Sequence, residues 1–324
     1  MNPYKFVPYL KSVIWGGEKI AALKGIVTNK TDIGESWEIS GVPGHESVCG
    51  ERGLACDPDL GLTLVELIDR YRDQLVGYQA YERFGNQFPL LVKIIDSRQN
   101  LSIQVHPNDE LARRRHNCAG KTEMWYVMQT EPEARIYAGL QREITPADYE
   151  RLARTPVQPG DNPFKGVIAE YESHPGDCFF LPAGRVHAIG AGNLLAEIQQ
   201  TSDITYRVCD YGRLDADGHP RELHVEQARE AIDYTVYKDY RTPYDHSLPS
   251  VELVSCPYFT VRREVVRHEA RIDYRRDSFV IVMCLDGAIT LNGIQARRGD
   301  TLLVPACDNV LNITGDATLL TATL

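Results

Sequence analysis

Three short polar segments of the chain carry the residue types of a metal site. Gln104-Val105-His106 and Lys121-Thr122-Glu123 each place two polar side chains two residues apart, and His187 follows the turn Pro182-Ala183-Gly184. Residues two apart on a β-strand point to the same face of a sheet. The segments together offer two imidazole rings, a carboxylate and an amide oxygen, so we predict that they converge on one metal ion.

Zinc suits these donors, because neutral imidazole and carboxylate oxygen both bind it and a catalytic zinc keeps a position for water or substrate. Manganese or iron would accept the same two histidines and carboxylate. Gln104 is the least usual donor, since a neutral amide oxygen is an uncommon zinc ligand, and it could instead support the ligands from outside. We expect one Zn²⁺ per chain.

The composition limits the partners and the compartment. The chain has 324 residues and a formal net charge of −10, a field that repels nucleic acid and anionic membranes. No segment is apolar for long enough to cross a membrane, and the N-terminus lacks the apolar core of a signal peptide. We therefore expect a cytoplasmic protein, a monomer or a weak homodimer, whose eight cysteines are reduced.

The patterning favours a mainly β fold with a few inserted helices. Apolar residues alternate at period two in most segments, as in antiparallel sheets. Helical periodicity covers residues 64–84, with Thr63 as a cap and Gly85 as a stop. Shorter helices are predicted at 109–116, 146–154 and 225–234.

An internal echo divides the chain into two parts. Residues 176–183 (Gly-Asp-Cys-Phe-Phe-Leu-Pro-Ala) and 299–306 (Gly-Asp-Thr-Leu-Leu-Val-Pro-Ala) both read as a tight turn that feeds a buried strand. The unit resembles the second motif of the cupin superfamily, whose jelly rolls enclose a metal. Five residues beyond the proline, the first copy has His187 and the second has Val310. We predict a metal-binding cupin domain at 1–240 and a second cupin-like domain, without ligands, at 241–324.

Two further polar residues lie downstream of His187. Glu197 and Gln199 alternate with apolar residues and so share a face, which we expect to be that of the metal. Arg207 lies in the strand-like run Thr-Tyr-Arg-Val, where a guanidinium needs an anionic partner. A substrate anion, an enediolate or Glu197 could serve.

These segments together resemble the type I mannose-6-phosphate isomerases in their short bacterial form. The resemblance rests on residues 102–109 (Ser-Ile-Gln-Val-His-Pro-Asn-Asp), 120–127 (Gly-Lys-Thr-Glu-Met-Trp-Tyr-Val), 181–192 and 197–208, and extends to 14–17 and 34–40 near the start. It implies a zinc aldose-ketose isomerase acting on a phosphorylated hexose, mannose 6-phosphate or fructose 6-phosphate. The residues that it implies are zinc ligands Gln104, His106, Glu123 and His187, the active-site residues Arg207, Lys121 and Glu197, and the phosphate neighbours Ser102 and Lys93.

Two points of chemistry stay open in the sequence. The general base is Glu197 by preference, with hydroxide at the metal or Lys121 as alternatives. The sequence is also compatible with a metal-retaining cupin that binds sugar without turnover, with an isomerase that prefers a related or non-phosphorylated sugar, and with a metal-dependent oxygenase on the same fold. The Lys-x-Glu and Tyr-Arg-Val elements speak against the oxygenase.

Overall fold

The protein is built from three antiparallel sheets. The computed structural model describes residues 1–54, 56–215, 217–274 and 276–324. The large sheet contains strands β1 (Tyr4–Val7), β4 (Val48–Cys49), β14 (Ser250–Ser255), β15 (Thr260–Val266), β16 (Glu269–Asp273), β17 (Val280–Leu291), β18 (Ile294–Arg297), β19 (Thr301–Val304) and β20 (Val310–Thr323). The middle sheet contains β2 (Tyr9–Gly17), β3 (Ile33–Ile39), β5 (Leu90–Ser97), β7 (Glu123–Thr130), β10 (Cys178–Leu181) and β12 (Asn193–Gln200). The small sheet contains β6 (Ile103–Val105), β8 (Arg135–Leu140), β9 (Ile168–Glu172), β11 (His187–Ile189) and β13 (Tyr206–Cys209).

The middle sheet packs on both of its faces. On one face, Trp125 and Leu195 share an apolar cluster with Ile189 of the small sheet. On the other face, Met124 shares a cluster with Leu320 of the large sheet. Alternate residues of one strand therefore enter different cores, as period-two patterning requires. The predicted fold class, mainly β and cupin-like, is confirmed, although the strands form packed sheets and not a closed barrel.

Seven α-helices lie among the described residues. They are α1 (Lys19–Lys24), α2 (Leu64–Tyr71), α3 (Asp73–Val76), α4 (Tyr78–Phe84), α5 (Asp109–His116), α6 (Pro146–Ala153) and α7 (Val225–Ala231), and one 3-10 turn spans Ala306–Asp308. The predicted helices at 109–116, 146–154 and 225–234 are confirmed to within three residues at their ends. Helix α1 was not predicted, because six residues are too few to show a periodic pattern.

The single helix predicted at 64–84 is wrong, because the chain forms α2, α3 and α4 in its place. The backbone φ is +50° at Arg72 and +95° at Gly77, values outside the α-helical region. The predicted ends are confirmed: the Thr63 hydroxyl accepts from the Glu66 amide in a capping box, and Gly85 follows the last helical residue.

The two copies of the echo form the same local structure. Each copy runs from a glycine with positive φ into a strand, β10 or β19, that ends just before Pro182 or Pro305. The division at residue 240 stays a prediction. Strand β1 belongs to the first part by that division, yet it pairs with β19, with Tyr4 opposite Leu303. Within the described ranges, no helix combines the length and the apolar character that a membrane crossing requires.

Candidate metal centre

The candidate ligands meet where the middle and small sheets face each other. Strands β6 and β11 pair within the small sheet, which places Gln104 directly opposite His187. His106 follows β6 immediately, and Glu123 is the first residue of β7 in the middle sheet. Gln104 lies within its strand and the other three residues lie at or just beyond a strand end, and the two layers bring all four together.

Three of these side chains form a compact, dry cluster. His187 Nε2 lies 3.1 Å from Glu123 Oε1, and His106 Nε2 lies 3.5 Å from Glu123 Oε2. One donor atom from each of the three residues lies within 4.8 Å of the others. None of the three is more than 1% exposed, so water does not compete for the donors.

Backbone carbonyls orient both imidazole rings. His106 Nδ1 lies 2.8 Å from the Ile204 carbonyl oxygen, and His187 Nδ1 lies 2.8 Å from that of Arg185. A carbonyl oxygen only accepts, so each Nδ1 carries a hydrogen and Nε2 is the nitrogen of each ring that is available to bind a metal. Fixing the tautomer in this way is how proteins prepare histidine to bind a metal.

The electrostatics keep the donors in their binding states. Burial alone would raise the pKa of Glu123, but Lys121, His106 and His187 together hold this pKa well below its ordinary value. Burial, helped by Lys121, lowers the pKa of His106 well below its ordinary value. The carboxylate is therefore ionised and this imidazole neutral near pH 7.

The cluster fits a metal cation because its donor atoms are otherwise unsatisfied. Of the described atoms, none makes a hydrogen bond of good geometry to His106 Nε2 or to either carboxylate oxygen of Glu123. Lys121 Nζ lies 3.1 Å from Glu123 Oε2 and forms an ion pair with this carboxylate. Buried polar atoms without partners are rare, and two imidazole nitrogens beside a carboxylate match the donors of zinc.

Gln104 also reaches the cluster. Its Nε2 atom lies 3.4 Å from His187 Nε2. Rotating the terminal amide by half a turn exchanges its nitrogen and oxygen, two atoms that occupy almost the same volume. The amide oxygen can therefore point at the same place as the imidazole nitrogens.

Arg207 lies on strand β13, which pairs with β6, and is directly opposite Gln104 in that pairing. Arg207 Nη1 donates to the Glu222 carbonyl oxygen at 2.8 Å, while Nε is buried without a hydrogen-bond partner in the described ranges. Burial, and then the neighbouring Arg221, lower the pKa of Arg207. The guanidinium thus has one nitrogen bonded and another without a described partner, so it can bind an anion.

Glu197 and Lys93 belong to a second polar group on the same face of the middle sheet. Glu197 accepts from Trp125 Nε1 at 2.8 Å and lies 3.3 Å from Lys93 Nζ. The Trp125 ring packs edge-on against His187, with the ring centres 5.2 Å apart. The Trp125 side chain thus contacts both Glu197 and His187.

The second carboxylate of this group was not singled out from the sequence. Glu35 lies 3.5 Å from Lys93 Nζ and accepts from Trp37 Nε1 at 2.7 Å. The buried Lys93 is therefore matched by two carboxylates, Glu35 and Glu197, and they raise its pKa although burial alone would lower it. Residues 34–38 contain two charged residues, Glu35 and Glu38, within a strand that is buried throughout.

Ser102 lies next to the cluster on the chain. It is buried, and it precedes Gln104 by two residues, so the two side chains start on the same face about 7 Å apart. Lys93, by contrast, faces carboxylates and lies on the other sheet. The two predicted phosphate neighbours are therefore positioned differently with respect to the cluster.

The chain is similar to known proteins of one family. Residues 4–137 match the model of the family described as phosphomannose isomerase type I, catalytic domain. The chain is 33% identical over 312 residues to mannose-6-phosphate isomerase ManA of Bacillus subtilis. The matched region covers 94% of this chain and 93% of that protein.

Solved structures give the same result. The crystal structure of mannose 6-phosphate isomerase from Bacillus subtilis superposes with a TM-score of 0.84 at 30% identity, covering 100% of both chains. A mannose 6-phosphate isomerase solved with zinc and yttrium bound has a TM-score of 0.80 at 16% identity, covering 99% of each chain, which shows a shared fold. By these likenesses, the chain belongs to the type I phosphomannose isomerase family.

Proposed function

We propose that the chain is a zinc-dependent isomerase that interconverts mannose 6-phosphate and fructose 6-phosphate. The proposal is supported most by one observation: an ionised, fully buried Glu123 faces the Nε2 atoms of His106 and His187. A sugar-binding protein has no need of such an arrangement beside Lys121 and Arg207. Family membership supports the substrate class.

We propose Gln104, His106, Glu123 and His187 as the residues that hold one zinc ion. When bound, zinc supplies Lewis-acid stabilisation of negative charge on the oxygens of the sugar. Lys121 lies 3.1 Å from Glu123 and Arg207 lies opposite Gln104, so both cations border the same place. An intermediate with negative charge is favoured there.

The reaction moves one proton between neighbouring carbons. A base takes the proton from C2 of the open-chain aldose to give a cis-enediolate, and the proton is then delivered to C1. The O2 hydroxyl loses its proton and O1 gains one, so the sugar is unchanged in composition. We assign the base to Glu197, because Trp125 Nε1 fixes one of its oxygens at 2.8 Å, while the other makes no hydrogen bond of good geometry with the described atoms and has only the ion-pair contact with Lys93 Nζ at 3.3 Å.

The other proposed roles follow from charge. Arg207 stabilises the negative charge that develops on the sugar oxygens, and Lys121 moves or holds a proton on them. Ser102 contributes a hydroxyl to the phosphate. The contact between Lys93 and the phosphate stays a prediction. The two carboxylates beside Lys93 neutralise most of its positive charge, so its position fits better with holding Glu197 in place than with binding a phosphate.

The test is a coupled isomerase assay with mannose 6-phosphate and with free mannose. Each sugar is measured with the protein as purified, after chelation, and after zinc is added back. We expect turnover of mannose 6-phosphate that disappears on chelation and returns with zinc. Turnover of free mannose alone would support the isomerase of a non-phosphorylated sugar, and metal binding without turnover of either sugar would contradict an enzyme.

A further inference from the structure

The segments that carry the candidate ligands are tied together on the side away from the metal. Gln199 pairs with Glu123 in the ladder and shares its face, so the side chain of the next residue, Gln200, points to the opposite face of the sheet. There it meets Asp109 of helix α5 and, beyond it, Tyr258 from the loop between β14 and β15. We propose that Asp109, Gln200 and Tyr258 form a positioning network that sets the geometry of the metal centre, an inference that rests on the proposed function.

Asp109 is the hub of this network. Its Oδ1 accepts from the Gly120 amide at 2.8 Å and from Gln200 Nε2 at 3.0 Å, and its Oδ2 accepts from the Tyr258 hydroxyl at 2.8 Å. Asp109 follows His106 by three residues, and Gly120 precedes Glu123 by three. One carboxylate therefore joins the two ligand-bearing segments.

Gln200 completes the link to Glu123. The side-chain Oε1 of Gln200 accepts from the Thr122 backbone amide at 2.9 Å, and the backbone amide of Gln200 donates to the Thr122 carbonyl oxygen at 3.1 Å. Thr122 lies between Lys121 and Glu123 in the sequence. Both ends of the Gln200 amide are thus used, one on each segment.

The same segments are packed too closely to move independently. A Cβ at Gly120 would lie 2.6 Å from the Asp109 nitrogen, so only glycine fits. The Lys121 amide donates to the Pro107 carbonyl at 3.1 Å. The turn before His187 joins the assembly as well, because the Gly184 amide donates to the His106 carbonyl at 2.9 Å.

Tyr258 brings residues 241–324 into contact with this network. None of the candidate ligands lies in this part of the chain. The hydroxyl of Tyr258 nevertheless bonds to Asp109, the residue that joins the segments of His106 and Glu123. A cavity of about 880 Å³ adjoins Asp109, Gln200 and Tyr258. Water in this cavity can replace the Tyr258 hydroxyl on Asp109, so Tyr258→Phe leaves no buried carboxylate unsatisfied and this variant is expected to fold.

Metal affinity and ligand geometry test the network without relying on turnover. The metal-free wild type, Tyr258→Phe and Gln200→Met are titrated with Co²⁺ against a chromophoric chelator, and the visible spectrum of each complex is recorded. Tyr274→Phe is the matched control, since the Tyr274 hydroxyl bonds to Thr321 within the large sheet. Circular dichroism confirms that each protein is folded.

We expect Tyr258→Phe to weaken Co²⁺ binding about 2- to 10-fold, the range of one hydrogen bond. Gln200→Met breaks both segment contacts and should weaken binding about 10-fold or more, with shifted absorption bands. Tyr274→Phe should match the wild type in affinity and spectrum.

The outcomes separate the network from the metal centre. If the wild type binds Co²⁺ and both network variants match it in affinity and spectrum, the network is overturned while the metal centre stands. If the wild type itself binds no Co²⁺, the proposed centre fails and the network with it. If Gln200→Met does not fold, the network is tested by comparing the Co²⁺ affinity and spectrum of Tyr258→Phe with those of Tyr274→Phe, and equal values overturn it.

Discussion

At the scale of single residues, the centre is a balance of one buried carboxylate against nearby cations. Glu123 is held ionised chiefly by the Lys121 ammonium, although burial opposes this charge. Arg207 enters the same region from the neighbouring strand with its Nε atom uncommitted to any described acceptor. Positive charge fixed in a dry site stabilises an anionic intermediate more than a neutral substrate.

Arg207→Ala should therefore lower kcat about 100-fold or more and change KM by only a few fold. The guanidinium interacts most strongly with charge that is present only after the proton leaves C2. Steady-state kinetics with mannose 6-phosphate measure both constants, and Arg142→Ala, which removes an exposed arginine, serves as the control. A kcat near that of the wild type would remove Arg207 from the mechanism.

The buried pair Glu35 and Lys93 predicts a dependence of stability on pH. Burial alone would raise the pKa of Glu35, but Lys93, Lys11 and the hydrogen bond from Trp37 together lower it. A carboxyl whose pKa is lower in the folded state adds stability above its unfolded pKa, and this stability is lost as the pH falls through the folded pKa.

Glu35→Gln should accordingly lower the free energy of unfolding at pH 7, and the difference from the wild type should narrow below about pH 4. Urea unfolding at several pH values measures this difference. Glu269→Gln, at an exposed position, should show little effect at any pH. A difference that stays constant from pH 7 to pH 3 would contradict the ion pair.

The sequence is informative about the ligands and silent about the residues that support them. His106 and Glu123 could be found because each has a polar neighbour two residues away within a strand. Glu35 lacks this pattern, because the residues two positions away are Ile33 and Trp37. A single polar residue on a strand gives no sign of whether it faces water or a buried lysine. The contact between Asp109 and Tyr258 joins residues 149 positions apart, which no local pattern encodes.

At the scale of elements, local sequence signals predict where a helical segment begins and ends better than they predict whether it is interrupted. The capping box at Thr63 and the stop at Gly85 are both present in the structure. The breaks at Arg72 and Gly77 were missed, because apolar residues keep their helical spacing across both positions. Gly77 is fixed by tertiary packing: a Cβ there would lie 2.5 Å from the Asp277 carbonyl oxygen.

The Thr63 cap predicts a stability effect that is separate from function. Thr63→Ala should lower the free energy of unfolding by about 1 kcal/mol, because it removes the side-chain acceptor of the Glu66 amide. Urea unfolding measures the loss, and Thr63→Ser, which keeps the hydroxyl, should restore most of it. Metal content and kcat should not change, and a fall in either would connect helix α2 to the site.

At the scale of the whole molecule, the two predicted parts share one core. The large sheet takes β1 from the N-terminus, and Ile281 and Leu303 belong to the same apolar cluster as Ile94 and Met124 of the middle sheet. The internal echo revealed that two similar units exist. It could not reveal their shared face, because pairing between distant segments leaves no periodic signal.

Residues 241–324 are therefore expected not to fold when they are produced alone. This fragment lacks β1, and its apolar face would be exposed to water. Circular dichroism and urea titration of the fragment, beside the full chain, test the expectation. A cooperative unfolding transition in the isolated fragment would show that the second part is independent.

The measurement that tests the central claim most directly is a zinc titration of the metal-free protein, with isomerisation of mannose 6-phosphate followed at each addition. If Glu123, His106 and His187 hold the catalytic metal, activity is absent at the start, rises in proportion to added zinc and reaches its plateau at one zinc per chain. Full activity in the metal-free protein, or zinc bound at one per chain without any turnover, would contradict the account.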